Sequence, residues 1–205
     1  MWDNRNKSIR EWGINMSKFE ILSISVGWIT GVIKDNNKEH FFDYSYIRNF
    51  LDDLMKALLY VNGAWPEDEK VFVFDNECEP VTEVWTLRKD NGKLNINITA
   101  FEDSTKQRFV GESVLVYDNY EFLTMFIFEM QSMLRKYGLL GYRDSWWHEF
   151  PISLFLKLID IKEGKNLLSM SQIDIEENLG LEAQSSKLDN EIELIKILVN
   201  RKHPI

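Results

Sequence analysis

Apolar and polar residues alternate between Leu22 and Val26, where Leu22, Ile24 and Val26 flank Ser23 and Ser25. A period of two is the mark of a half-buried strand. Trp28 to Ile33 continues it as the second member of a strand pair, with Gly27 and Gly31 as bulge or close-packing points. Asp35-Asn36-Asn37-Lys38 reads as a turn. The period then lengthens: Ile47, Phe50/Leu51, Leu54, Leu58 and Val61 recur at helical spacing, with Asp43 as the expected N-cap and Gly63 just past the end. Residues 64–70 contain Pro66 and an acidic run and read as a loop.

Val71 to Phe74 and Pro80 to Arg88 have strand composition, and Asn91-Gly92 is a strong hairpin signal, because a type I′ turn needs positive φ at both central positions. Placing the turn there pairs Trp85 with Ile98 and Leu87 with Ile96 on one face. It pairs Thr86 with Asn97 and Arg88 with Asn95 on the other. The faces sort into apolar and polar, as expected of an antiparallel pair with one wet side. Phe109 to Tyr117 supplies a further strand, with Val110, Val114 and Val116 on one side.

Asp118, three residues before Glu121, opens a helix with capping-box spacing, and its apolar stripe runs from Phe122/Leu123 through Phe126/Ile127, Met130 and Met133/Leu134 to Tyr137, before Gly138. A loop from Leu139 to Phe150 leads to Pro151, placed as the first residue of a third helix that ends before Gly164. Beyond Lys165 aromatic residues disappear, and Leu188, Ile192, Ile195 and Val199 mark one amphipathic helix. The expected organisation is a leader (1–17), an α+β core (18–165) and a helical tail (166–205) able to dock or to self-associate. The core is expected to be one mostly antiparallel sheet of five to six strands, with helices on one face and the other face free.

Charge sharpens this picture. Residues 67–121 hold 13 Asp/Glu against 6 Lys/Arg, a local net of −7 within a chain total of −9. Such a surface disfavours nucleic acid and favours a basic protein partner. The first 18 residues contain no apolar stretch of signal-peptide type. No run reaches the roughly 18–20 apolar residues of a membrane helix. The lone cysteine, Cys78, rules out an intramolecular disulfide. A cytoplasmic protein, free of membrane contact and of cofactors, is expected.

Candidate chemistry is sparse. Asp75, Glu77 and Glu79 alternate along a strand and would share a face, an arrangement that suits a hard divalent cation, although Pro80 interrupts the strand and solvated charge runs are commoner. His148 stands beside Trp146, Trp147 and Glu149, so a metal-dependent enzyme using Asp75, Glu77 and Glu79 with His148 as acid-base is the alternative reading. Cys78 lies between Glu77 and Glu79, whose charge disfavours a thiolate. Gly111-Glu112-Ser113 lacks the flanking glycines of a hydrolase elbow. Asp68-Glu69-Lys70 and Glu163-Gly164-Lys165 match half of a nuclease pattern at the frequency chance supplies. Met125, Met130 and Met133 follow the core stripe of their helix.

The expected partner surface is therefore the polar sheet face, Thr86, Arg88, Asn95 and Asn97, rimmed by Asp75, Glu77, Glu79, Glu83, Glu102, Asp103 and Glu112. A small, acidic, aromatic-rich chain of this kind resembles the immunity proteins of bacterial toxin systems, which neutralise a nuclease or other basic toxin by covering it with acidic surface. The resemblance is one of character across residues 18–165. It implies a non-enzymatic inhibitor fold and carries over no functional residue. A structural or adaptor protein assembling through the tail helix is a third reading.

Overall fold

The computed structural model describes residues 17–63, 71–165, 167–168, 171–176 and 181–200. Most of the leader and the 64–70 loop, with its Asp68-Glu69-Lys70 match, lie outside them. The elements are β1 (Lys18–Ser25), β2 (Trp28–Lys34), β3 (Glu39–Ser45), α1 (Phe50–Val61), β4 (Val71–Glu77), β5 (Thr82–Asp90), β6 (Lys93–Phe101), β7 (Phe109–Asp118), α2 (Asn119–Trp146), α3 (Ile152–Glu163), β8 (Ser171–Glu176), β9 (Leu181–Ser185) and α4 (Leu188–Asn200). The class is α+β. The single expected sheet is instead two antiparallel sheets, β1-β2-β3 and β4-β5-β6-β7, with β8-β9 as a separate hairpin.

The first sheet departs from the expected pattern at two places. A register shift between Ile21 and Ser23 turns Leu22 outward, so Phe19, Ile21 and Ile24 form the buried face and Val26 lies exposed in the turn. The expected helix start at Asp43 is instead β3: His40, Phe42 and Tyr44 alternate inward, and Asn49 caps a helix that begins only at Phe50. Gly31 is needed there, since a Cβ would stand 2.2 Å from the Phe42 ring and 2.6 Å from the Glu20 carbonyl.

The second sheet follows the hairpin register to the residue. Trp85 faces Ile98, Leu87 faces Ile96, Thr86 faces Asn97 and Arg88 faces Asn95, around Asn91 and Gly92 at φ 46° and 76°. Asp118 caps α2, its carboxylate accepting from the N–H groups of Tyr120 (3.0 Å) and Glu121 (3.2 Å). Gly138, at φ 68° and ψ 173°, breaks the helical backbone where the spacing places the helix end, and residues 139–146, expected as loop, form a second helical segment beyond the kink. Gly164 closes α3 in the left-handed conformation.

Both sheets and α1–α3 enclose one core. Tyr44, Phe50 and Trp85 are fully buried at its centre, with Phe50 5.3 Å from the Trp85 ring and Phe74 stacked on Trp85 at 5.9 Å. Met130 and Met133 are buried in it. In the tail, α4 packs on α3 through buried Leu194, while of the expected stripe Leu188 is exposed and Ile192 and Ile195 are covered only in part. Among the described residues no helix is long and apolar enough to cross a membrane.

Candidate functional site

The helices cover the side of the second sheet that carries Trp85, Leu87, Ile96, Ile98 and Leu115. The opposite side carries Val73 and Asp75 from β4, Val84, Thr86 and Arg88 from β5, Asn95, Asn97 and Thr99 from β6, and Glu112, Val114 and Val116 from β7. All of these are exposed or half-buried, and Val73, Val114 and Val116 are exposed large apolar groups. Thr86, Arg88, Asn95 and Asn97 therefore lie together on the open face, as expected from the turn and the alternation.

The acidic rim is only partly free. Asp75 pairs with Lys106 at 2.7 Å and Arg48 at 3.3 Å, and the Lys106 hydrogen bond and Arg48 charge hold its carboxyl below the usual range despite partial burial. Glu102 pairs with Arg108 at 2.8 Å, and Glu112 accepts from the Asn97 amide at 2.8 Å. Asp103 accepts from the Thr105 hydroxyl (2.6 Å) and N–H (2.9 Å), which keeps its carboxyl low. Glu77 accepts from the buried Thr82 hydroxyl at 2.9 Å, and Glu79 is exposed in the β4–β5 turn.

Glu83 does not belong to the rim. It occurs on the core side of β5, only 8 % exposed, where its Oε2 meets His40 Nε2 at 3.1 Å and the Tyr44 hydroxyl. Tyr44 in turn accepts from Trp85 Nε1 at 2.6 Å, and His40 Nδ1 lies 3.2 Å from Ser113 Oγ. A chain of five side chains thus joins β3 to β5 and β7 across the seam between the sheets. The helical spacing from Ile47 places the helix start at Asp43 and so hides β3; alternation at His40, Phe42 and Tyr44 is the signal that marks the strand. Cys78 lies near this cluster, and burial followed by the Glu83 and Glu77 charges pushes its thiol far up, away from nucleophilic use.

The metal arrangement does not form. Asp75 and Glu77 share a face but are engaged as described, Glu79 lies beyond the strand end, and among the described residues no three His, Cys, Asp or Glu side chains are placed to hold a metal ion. His148 Nε2 contacts the Tyr46 carbonyl at 2.5 Å, at the end of α2. Trp146 is buried with its N–H on Asn49 Oδ1, and Trp147 is half-exposed against Tyr46. An apolar groove of about 510 Å³ between β7 and α2, lined by Tyr117, Tyr120, Phe122, Met125 and Phe128, contains none of the predicted carboxylates.

No family model, curated protein or solved structure matches this chain.

Proposed function

We propose that the chain is a protein-binding module that covers a basic partner, such as a toxin domain, with the open face of its four-stranded sheet. The observation that carries this reading is the sidedness of that sheet. One side is packed by helices, while the other presents exposed Val73, Val114 and Val116 among Thr86, Arg88, Asn95 and Asn97. Val73 on β4 and Val114 and Val116 on β7 flank the polar residues of the two central strands, and exposed apolar groups beside hydrogen-bonding ones suit a protein interface. The acidic margin adds steering: Glu77, Glu79 and Glu112 have no cationic partner among the described residues, and the segment remains net negative. Complementary charge acts mainly on the association rate, over about 8 Å at physiological salt.

Surface-immobilised kinetics with a basic protein encoded beside this chain's gene tests the reading. Val73→Arg and Val114→Arg should speed dissociation. Glu79→Lys with Glu112→Lys, both at exposed positions, should slow association at low salt, leaving unfolding unchanged. Rates indifferent to both pairs of changes would refute it.

A further inference from the structure

The five-residue chain at the seam has a fixed direction. Trp85 Nε1 can only donate, so the Tyr44 oxygen accepts from it and passes its own hydrogen to Glu83 Oε2. His40 Nε2 meets the same oxygen at 3.1 Å and donates to it. That tautomer leaves Nδ1 as a bare lone pair, 3.2 Å from Ser113 Oγ. The arrangement is a hydroxyl, a base in hydrogen-bond reach and a carboxylate that orients the base, which is the geometry of an activated nucleophile.

Two further features surround Ser113. The Val116 N–H donates to Asp35 Oδ2 at 3.0 Å and so points away from β6; antiparallel alternation places the Val114 N–H on that same outer edge. A backbone donor thus follows directly after the hydroxyl, where an oxyanion would need one. Gly111 stands two residues before Ser113 on the same side of β7. A Cβ built on it meets no heavy atom within 4 Å, which leaves room for a small acyl group beside the hydroxyl.

We propose that Ser113 is an acyl-accepting nucleophile, with His40 as its general base, Glu83 as the orienting carboxylate and the Val114 N–H as oxyanion donor, acting on esters with a compact acyl group. Ser113 Oγ bonds to the ester carbonyl carbon while its proton passes to His40 Nδ1. The carbon–oxygen bond to the alcohol then breaks, and the departing alcohol takes that proton. Water, activated by the same nitrogen, releases the carboxylic acid and restores Ser113. This site is on the core side of the sheet and is independent of the open face.

The test uses the full chain with p-nitrophenyl acetate and a fluorophosphonate probe, followed by peptide mass mapping. The expected result is a stoichiometric nitrophenol burst and a single adduct on Ser113, both absent in Ser113→Ala of unchanged near-ultraviolet dichroism. His40→Ala, or Glu83→Gln should the former not fold, should slow labelling by about 100-fold or more. Folded wild-type protein that gives no Ser113 adduct, an adduct elsewhere only, or labelling at the wild-type rate without His40 or the Glu83 carboxylate would each overturn the proposal.

Discussion

Glu83→Ala separates a rim carboxylate from a core one. At an exposed rim the change would cost well under 1 kcal/mol. In its actual place, Glu83 accepts from both His40 and the fully buried Tyr44. Hydrogen bonds to a charged group are worth about 1.5–3 kcal/mol each, and an orphaned buried hydroxyl costs about 1–3 kcal/mol. Losing a buried partner of this kind comes to about 3–5 kcal/mol. For a chain of this length that corresponds to a fall in Tm of roughly 6–20 °C. Tyr44→Phe removes the hydroxyl that Glu83→Ala orphans, so the double variant should lose about 1–3 kcal/mol less than the two single losses added. Urea unfolding followed by far-ultraviolet dichroism measures all three. A loss below 1 kcal/mol for Glu83→Ala, or strict additivity, would refute the seam network.

The hairpin register predicts that Trp85→Ala costs about 3–5 kcal/mol, through lost burial and a cavity, while Thr86→Ala costs little; the same denaturation series compares them. Gly31→Ala should destabilise by about 1–3 kcal/mol, since its methyl group meets the Phe42 ring and the Glu20 carbonyl, and a neutral effect in thermal melts would contradict that contact. Leu194→Ala should cost about 2–5 kcal/mol if α4 is docked as packed, read as a lower unfolding midpoint. Burial alone would raise the Asp35 carboxyl, but N–H donation from Val116, Asn37 and Lys38 outweighs it and holds the group below its ordinary value. A lowered folded pKa stabilises the protein above the unfolded value of about 3.9 and is lost as pH falls through the folded one. Asp35→Asn should therefore flatten the acid limb of stability against pH, and an unchanged limb would exclude Asp35 as a contributor.

Local chemistry that acts through nearest neighbours is legible in the sequence. Asn91-Gly92 set the register of β5 and β6, Asp118 set the start of α2, and Gly164 the end of α3. Features decided by tertiary contact are not. Gly138 ends the first helical run as its position suggests, but a second helical segment follows it, because Tyr142 and Trp146 find buried places in the core. The extra residue at Leu22 shifts which face of β1 is buried, and nothing in the alternation marks it. In the candidate site, Thr86, Arg88, Asn95 and Asn97 were readable from the pairing of one hairpin. Glu83 was misassigned because its charge suggested solvent, while its position two residues before Trp85 already placed it on the buried side. Period outranked polarity there, since the buried carboxylate has partners on a strand that had not been recognised.

That unrecognised strand also explains why one expected sheet became two. Edge strands offer unpaired N–H groups and invite further pairing. On β7 the Val116 N–H is taken by the Asp35 carboxylate of the β2–β3 turn, and the side chains of His40 and Ser113 meet beside it. On β1 the Ile21 N–H is taken by the Glu129 carboxylate and the Ile24 N–H by the Tyr137 hydroxyl, both from α2. Side chains thus stand where a neighbouring strand would otherwise pair, and the first sheet meets the second through His40, Tyr44 and Asp35 without extending its ladder. Replacing the Asp35 carboxylate removes one of these caps as well as an acid-sensitive group. Asp35→Ala should therefore expose the outer edge of β7, and amide hydrogen exchange should quicken at Val116 more than at Leu115, whose N–H points toward β6. Equal acceleration along the whole strand would indicate global destabilisation instead of a lost cap and would refute this account of the sheet boundary.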